Sequence, residues 1–220
     1  MAPLRGLLQS ELEEISDGLV RMGDMVEQAI LSAVEALGDQ DVELAQQVIA
    51  DDTQINDLRF EIEDLCFTVL ATQHPAARDL RVVVTALNII TELERMGDYA
   101  KGIGQIVVRM GGEDLFLSLQ KTPRMAKSVC EMMRAALNAF VDQDLEAAQQ
   151  VFDMDDEVDH MYRDVFESVI RAMVSREHSV RKGMHLLFAA HNLERLGDRV
   201  TNIAERIIFM HTGVMQEQNL

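Results

Sequence analysis

The sequence predicts an all-α protein of six helices, arranged as two tandem three-helix bundles related by a pseudo-two-fold axis. Three observations carry this. Apolar residues recur at helical spacing over long stretches. Helix breakers are scarce, with 3 Pro and 12 Gly in 220 residues. The chain also repeats itself. Asp39-Gln40-Asp41-Val42-Glu43-Leu44-Ala45-Gln46-Gln47-Val48 returns as Asp142-Gln143-Asp144-Leu145-Glu146-Ala147-Ala148-Gln149-Gln150-Val151, offset by 103 residues. Leu93-Glu94-Arg95-Met96-Gly97-Asp98 returns as Leu193-Glu194-Arg195-Leu196-Gly197-Asp198, offset by 100, so the second copy is 3 residues shorter between these landmarks.

The elements follow in order. Val26, Ala29, Ile30, Ala33, Val34 and Leu37 mark one face of a first helix over about 5–38. Gly38-Asp39-Gln40-Asp41 stops it, and Asp41 caps a second helix over about 42–73. His74-Pro75 closes that helix, and a third runs from about 77 to 110, where Gly111-Gly112 ends it. Lys121-Thr122-Pro123 opens a fourth helix to about 141, with Pro in a first-turn position. The fifth and sixth run over about 144–175 and 178–211. The expected halves are residues 1–112 and 113–220, with 39–103 overlaying 142–203. Short connections force neighbouring helices antiparallel.

Composition limits the function classes. Net charge is −18, from 38 acids against 20 Lys and Arg. Phosphate backbones and anionic membrane surfaces select the opposite sign, so neither nucleic acid nor a lipid surface is an expected partner. Metal cations or a basic protein are better matches. Cys66 and Cys130 sit inside apolar helical patterns without a CxxC pair, as small buried hydrophobes of a reducing compartment do. No stretch reaches the 18 or so apolar residues of a membrane helix, and the N-terminus lacks a signal-peptide pattern. The expected location is the cytoplasm, without membrane insertion.

The chemistry concentrates in the second repeated sequence. Glu94 and Asp98 stand four apart on one helix face, as do Glu194 and Asp198. So acidic a chain holds about six such pairs by chance, so spacing alone is weak. Recurrence in register with the repeat is specific. Like charges at this spacing cost a helix a few tenths of a kcal/mol, and mid-helix Gly97 and Gly197 about 1 kcal/mol each against Ala. Two unfavourable choices made twice point to a compensating cation and a close approach. Counting from the hairpin near residue 75, Asp52 lies 23 before it and Asp98 23 after. From the turn near 176, Asp155 lies 21 before and Asp198 22 after, while Asp159 is level with Glu194. Three or four carboxylates from two helices form an oxygen-rich site for a hard cation such as Mg²⁺, Ca²⁺, Mn²⁺ or iron, with Zn²⁺ a further alternative. The competing reading pairs Arg95 and Arg195 with Asp98 and Asp198 at i, i+3 on a solvated face. Glu157-x-x-His160 resembles half of a di-iron motif without its other half, and reads as an exposed helical histidine; His191, one turn before Glu194, is a further candidate whose counterpart is Thr91. The 14 Met residues read mostly as core filling.

Two three-helix units, each ending in Leu-Glu-Arg-x-Gly-Asp, resemble the PhoU family of bacterial phosphate-signalling proteins over nearly the whole chain. The resemblance implies a metal in each repeat, at Glu94/Asp98 and Glu194/Asp198, with iron the first choice because some members carry a multinuclear iron cluster. Asp198-Arg-Val-Thr-Asn202-Ile-Ala-Glu205 follows the family pattern and adds Asn202, although Arg199 stands where His is common. In the first copy Tyr99 replaces that His and Gly102 the Asn. The resemblance further implies a non-enzymatic homodimeric regulator that restrains phosphate uptake and starvation signalling. Its implied partners are the ATPase of a phosphate ABC transporter and a sensor histidine kinase. The alternative is a di-metal oxidase or hydrolase on a helical bundle, which would be expected to bring a general acid or base to the metals.

Overall fold

A computed structural model describes residues 2–111, 121–175 and 180–214, with side chains from residue 6 onward. Six helices account for almost all of it: α1 (Ala2–Asp39), α2 (Val42–Thr72), α3 (Arg78–Met110), α4 (Lys121–Val141), α5 (Leu145–Ser175) and α6 (Val180–Thr212). Their ends fall within three residues of those read from the sequence. Gly112, the boundary at 112/113 and the turn near 176 lie outside the described residues.

The caps explain the precision. The Asp41 side chain accepts from the Leu44 N–H at 2.9 Å. Asp144 does the same for α5, accepting from Glu146 and Ala147 N–H at 2.9 and 3.0 Å. A side-chain oxygen at this position satisfies helix donors that otherwise have no partner. The residue before each cap is a glutamine in the left-handed region, Gln40 at φ 55° and Gln143 at φ 54°, so the repeat extends to an uncommon backbone conformation. Gly111 ends α3 at φ 68°, its N–H reaching back to the carbonyls of Val107 and Val108.

Helix contacts follow the predicted two-fold relation. α1, α3, α6 and α4 close a ring in which each touches the next; α2 lies outside against α1 and α3, and α5 outside against α4 and α6. Exchanging α1 with α4, α2 with α5 and α3 with α6 leaves this scheme unchanged. The core is aliphatic and Met-rich: Ile15, Leu19, Met22, Ile30, Ile89, Leu93, Met96, Met125, Met132, Leu193 and Leu196 are fully buried. Cys66 and Cys130 belong to it as free thiols, each pushed up to about 12 by burial. The candidate carboxylates therefore sit in two clefts, between α2 and α3 and between α5 and α6.

Candidate metal centre

The hairpin level predicted from residue counts is met in both repeats. Gly97 and Gly197 are buried where α3 and α6 face α2 and α5. A Cβ at Gly197 would stand 2.7 Å from Asp155 Oδ1, and one at Gly97 would stand 3.2 Å from Ile55 Cδ1 and 3.6 Å from Asp52 Oδ1. Each missing side chain thus leaves room for an aspartate from the neighbouring helix.

The two clefts then differ. In the first, Asp52 is 5% exposed and paired through one oxygen: Lys101 Nζ lies 2.7 Å from Oδ2, and Asn56 Nδ2 donates to the same oxygen at 3.1 Å. Glu94 accepts from Arg59 Nη1 at 3.0 Å, and Arg59 Nε bonds Glu63 at 3.0 Å. Asp98 is exposed. The hydrogen bond to Asp52 raises the Lys101 pKa.

In the second cleft the residues at the corresponding positions are Asp155, Asp159, Tyr162, Glu194, Asp198 and Thr201, where the first has Asp52, Asn56, Arg59, Glu94, Asp98 and Lys101. Four carboxylates stand here against three in the first cleft, and both inward cations are gone. Burial pushes the Asp155 carboxyl up to about 7, with Asp159, Asp198, Asp156 and Glu194 adding charge repulsion. Glu194 and Asp198 are also raised, each chiefly by burial. Glu194 Oε2 is buried without a hydrogen bond, and His191 Nδ1 stands 3.1 Å away as an ion-pair neighbour when protonated. Positive groups remain on the rim. Arg195 Nε is 3.7 Å from Asp198 Oδ2, beyond hydrogen-bond reach, and its guanidinium lies 5.5 Å over the Tyr99 ring across the α3–α6 seam. Arg199 turns away to Glu92 at 3.3 Å. Asp159 approaches only Arg163, at 3.8 Å, among the ion pairs of the described residues.

The chain matches the PhoU domain family twice, over residues 19–107 and 122–207, each match taking in one Glu-x-x-x-Asp pair and the aspartate opposite it. The chain belongs to the PhoU family. A Clostridium acetobutylicum protein named phosphate-specific transport system accessory protein PhoU homolog is 36% identical over 98% of this chain and 99% of its own length. The Escherichia coli accessory protein PhoU is 30% identical over 96% of this chain and 87% of its own. The crystal structure of PhoU from Pseudomonas aeruginosa superposes with a TM-score of 0.86 at 31% identity, covering 94% of this chain and 99% of that one. That of the phosphate transport system regulatory protein PhoU from Streptococcus pneumoniae gives 0.88 at 29%, covering 96% and 99%.

Not every sequence candidate reaches its cleft. Asp155, Glu194 and Asp198 are raised in proton affinity by burial and by neighbouring carboxylates, the charge of Asp159 acting on all three. Asn202 instead faces the α3–α6 seam, its Nδ2 3.4 Å from Glu92 Oε2. Glu157 pairs with Arg124 at 2.6 Å and His160 is exposed, so that half-motif stays outside the site. The competing Arg–Asp pairing fails in the first repeat, where Arg95 goes to Glu92 at 3.6 Å, and is met in the second by the ion pair of Arg195 with Asp198 at 3.7 Å. Among the described residues no three His, Cys, Asp or Glu side chains converge tightly enough to enclose a metal as they stand. The second cleft nonetheless fits a hard cation in chemistry: four carboxylates, mutual repulsion and one buried oxygen that accepts no hydrogen bond. The first does not fit, because its buried carboxylate is already neutralised by an ammonium. Lys101 and Arg59 are the residues sequence reasoning missed. Their trace was present in the aligned repeats, at 59 against 162 and 101 against 201.

Proposed function

We propose that this PhoU-family chain is the accessory regulator of a phosphate transport system, acting by binding rather than turnover. It restrains phosphate uptake and phosphate-starvation signalling from the cytoplasm, bridging the ATPase of a phosphate ABC transporter and a sensor histidine kinase as a homodimer. The carrying observation is similarity along almost the full chain to proteins named as accessory or regulatory components of such systems. Among the described residues no helix is long and apolar enough to cross a membrane, which agrees with docking to membrane proteins from outside the bilayer.

The second repeat supplies a state that such a regulator can read. Asp155, Asp159, Glu194 and Asp198 hold a hard cation, iron in the first instance and Mn²⁺, Mg²⁺, Ca²⁺ or Zn²⁺ as alternatives. The cation neutralises carboxylates from α5 and α6 that otherwise repel, and so stiffens that hairpin.

The test of the regulatory role is a deletion strain carrying a phosphate-starvation reporter. The expected result is reporter activity even in plentiful phosphate, silenced again by the intact gene; a deletion strain with normal repression would refute the role. The metal reading is tested separately by elemental analysis. The Glu194→Gln/Asp198→Asn variant is expected to lose the metal of the parent, and unchanged content would refute it.

A further inference from the structure

The two clefts descend from one pattern yet meet the same electrostatic problem differently. Between α2 and α3, Asp52 is the sole buried carboxylate among the described residues, at 5% exposure, and its Oδ2 is shared by Lys101 Nζ at 2.7 Å and Asn56 Nδ2 at 3.1 Å. Its Oδ1 faces the backbone at Gly97. Glu94 is held by Arg59 at 3.0 Å. Both cations come from inside the repeat, one from each helix of the hairpin. At the matching positions of the second repeat stand Tyr162 and Thr201, and the amide Asn56 is matched by the acid Asp159. All three differences act in one sense, removing positive charge or adding negative charge where α5 faces α6.

We propose that the first repeat is a metal-free copy of the centre, in which the Lys101 ammonium and the Arg59 guanidinium stand in for the cation, so that each chain has a single metal-binding repeat. This rests on the second-repeat reading above. A divalent cation entering the first cleft would have to displace Lys101 from Asp52 and then sit beside two displaced positive charges, which Coulomb repulsion opposes most strongly where burial limits screening. An ammonium and a guanidinium also satisfy carboxylates permanently. They need no uptake step and do not respond to metal supply. The first hairpin is therefore rigid under all conditions, and the second is conditional.

The experiment uses the full-length protein, stripped with chelator, loaded with Mn²⁺ and passed through gel filtration before elemental analysis. Glu194→Gln/Asp198→Asn silences the second repeat. In that background Asn56→Asp/Arg59→Tyr/Lys101→Thr gives the first cleft the second's side chains, in volumes the fold already hosts once. The expected manganese content is one per chain in the parent, none in the silenced background and one again after the triple exchange. Manganese retained by the silenced background would overturn the proposal, and so would an exchange that restores none. If parent and silenced background both bind none, the second-repeat reading fails, and the exchange alone judges the first repeat: one manganese gained supports it, none overturns it. Should circular dichroism show the triple exchange unfolded, Lys101→Thr alone in the silenced background carries the test. A melting temperature raised by Mn²⁺ only when Lys101 is absent supports the proposal; no rise overturns it.

Discussion

At the scale of single residues, the decisive quantity is how a carboxylate held away from solvent, wholly or in part, is neutralised. Asp52 and Asp155 occupy equivalent positions, and their different fates show the alternatives: a lysine for one, a raised proton affinity for the other. This gives the metal-free protein a pH signature. Burial, with Asp159, Asp198, Asp156 and Glu194 nearby, lifts Asp155 from 3.8 to about 7. A carboxyl whose folded pKa is raised favours the folded state while protonated, so its contribution is fully present below about pH 4 and is lost as pH rises toward 7. Glu194 and Asp198 are shifted in the same direction. Chelated protein is expected to lose stability between pH 4 and 7 relative to an Asp155→Asn variant, whose amide does not titrate. Urea unfolding of both proteins across that range checks it, and a difference that stays flat or grows in the parent's favour would contradict the assignment. Saturating Mn²⁺ should remove most of the difference in the parent, because the cation replaces the proton as the neutralising partner.

At the scale of helices, the glycines matter because they decide how close two helices come. A Cβ at Gly197 would meet Asp155 Oδ1 at 2.7 Å, and that oxygen is the end of a side chain that can rotate away. Gly197→Ala therefore gains up to about 1 kcal/mol of helix propensity and loses part of it to moving the carboxylate. The expected outcome is stability within about 1 kcal/mol of the parent, with Mn²⁺ affinity weakened roughly tenfold, the scale at which displaced supporting groups act on a metal site. Calorimetric titration and thermal unfolding together check this; loss of fold without loss of affinity would show that the glycine serves packing alone. The helices themselves were legible in the sequence because their caps are local. Asp41 and Asp144 declare where α2 and α5 begin through bonds to residues two or three positions on. The level of Asp52 and Asp155 was legible too, since rise per residue is fixed once a hairpin is placed. The Lys101 and Arg59 pairings were not, because they span 49 and 35 residues and depend on which rotamer a long side chain takes across a cleft. Asn202, which the family resemblance added, turns its amide to Glu92 on α3, a contact across helices that the pattern does not reveal.

At the scale of the molecule, the pseudo-two-fold relation is kept in the backbone and broken in the chemistry. The ring of α1, α3, α6 and α4 holds both halves in one frame, with α2 and α5 mounted on its flanks. Across the seam, Arg199 reaches Glu92 and Arg195 covers Tyr99, so the Glu-x-x-x-Asp faces of α3 and α6 flank a common line. One flank is locked by its own cations, while the other holds four carboxylates that repel until neutralised. Metal should therefore alter the local stability of one hairpin and leave the other unchanged. In hydrogen-exchange experiments on the stripped protein, added Mn²⁺ is expected to slow amide exchange in α5 and the facing part of α6. Rates in α2 and α3 should change little, because Lys101 and Arg59 already neutralise the carboxylates there. Equal protection of both hairpins would mean that both repeats bind metal or that the frame stiffens as a whole; protection confined to α2 and α3 would invert the assignment. A response restricted to α5 and α6 places the metal-dependent surface on the second flank. If the proposed function holds, its partners are then expected to distinguish metal-loaded from metal-free protein through that flank, with the first serving as its fixed support.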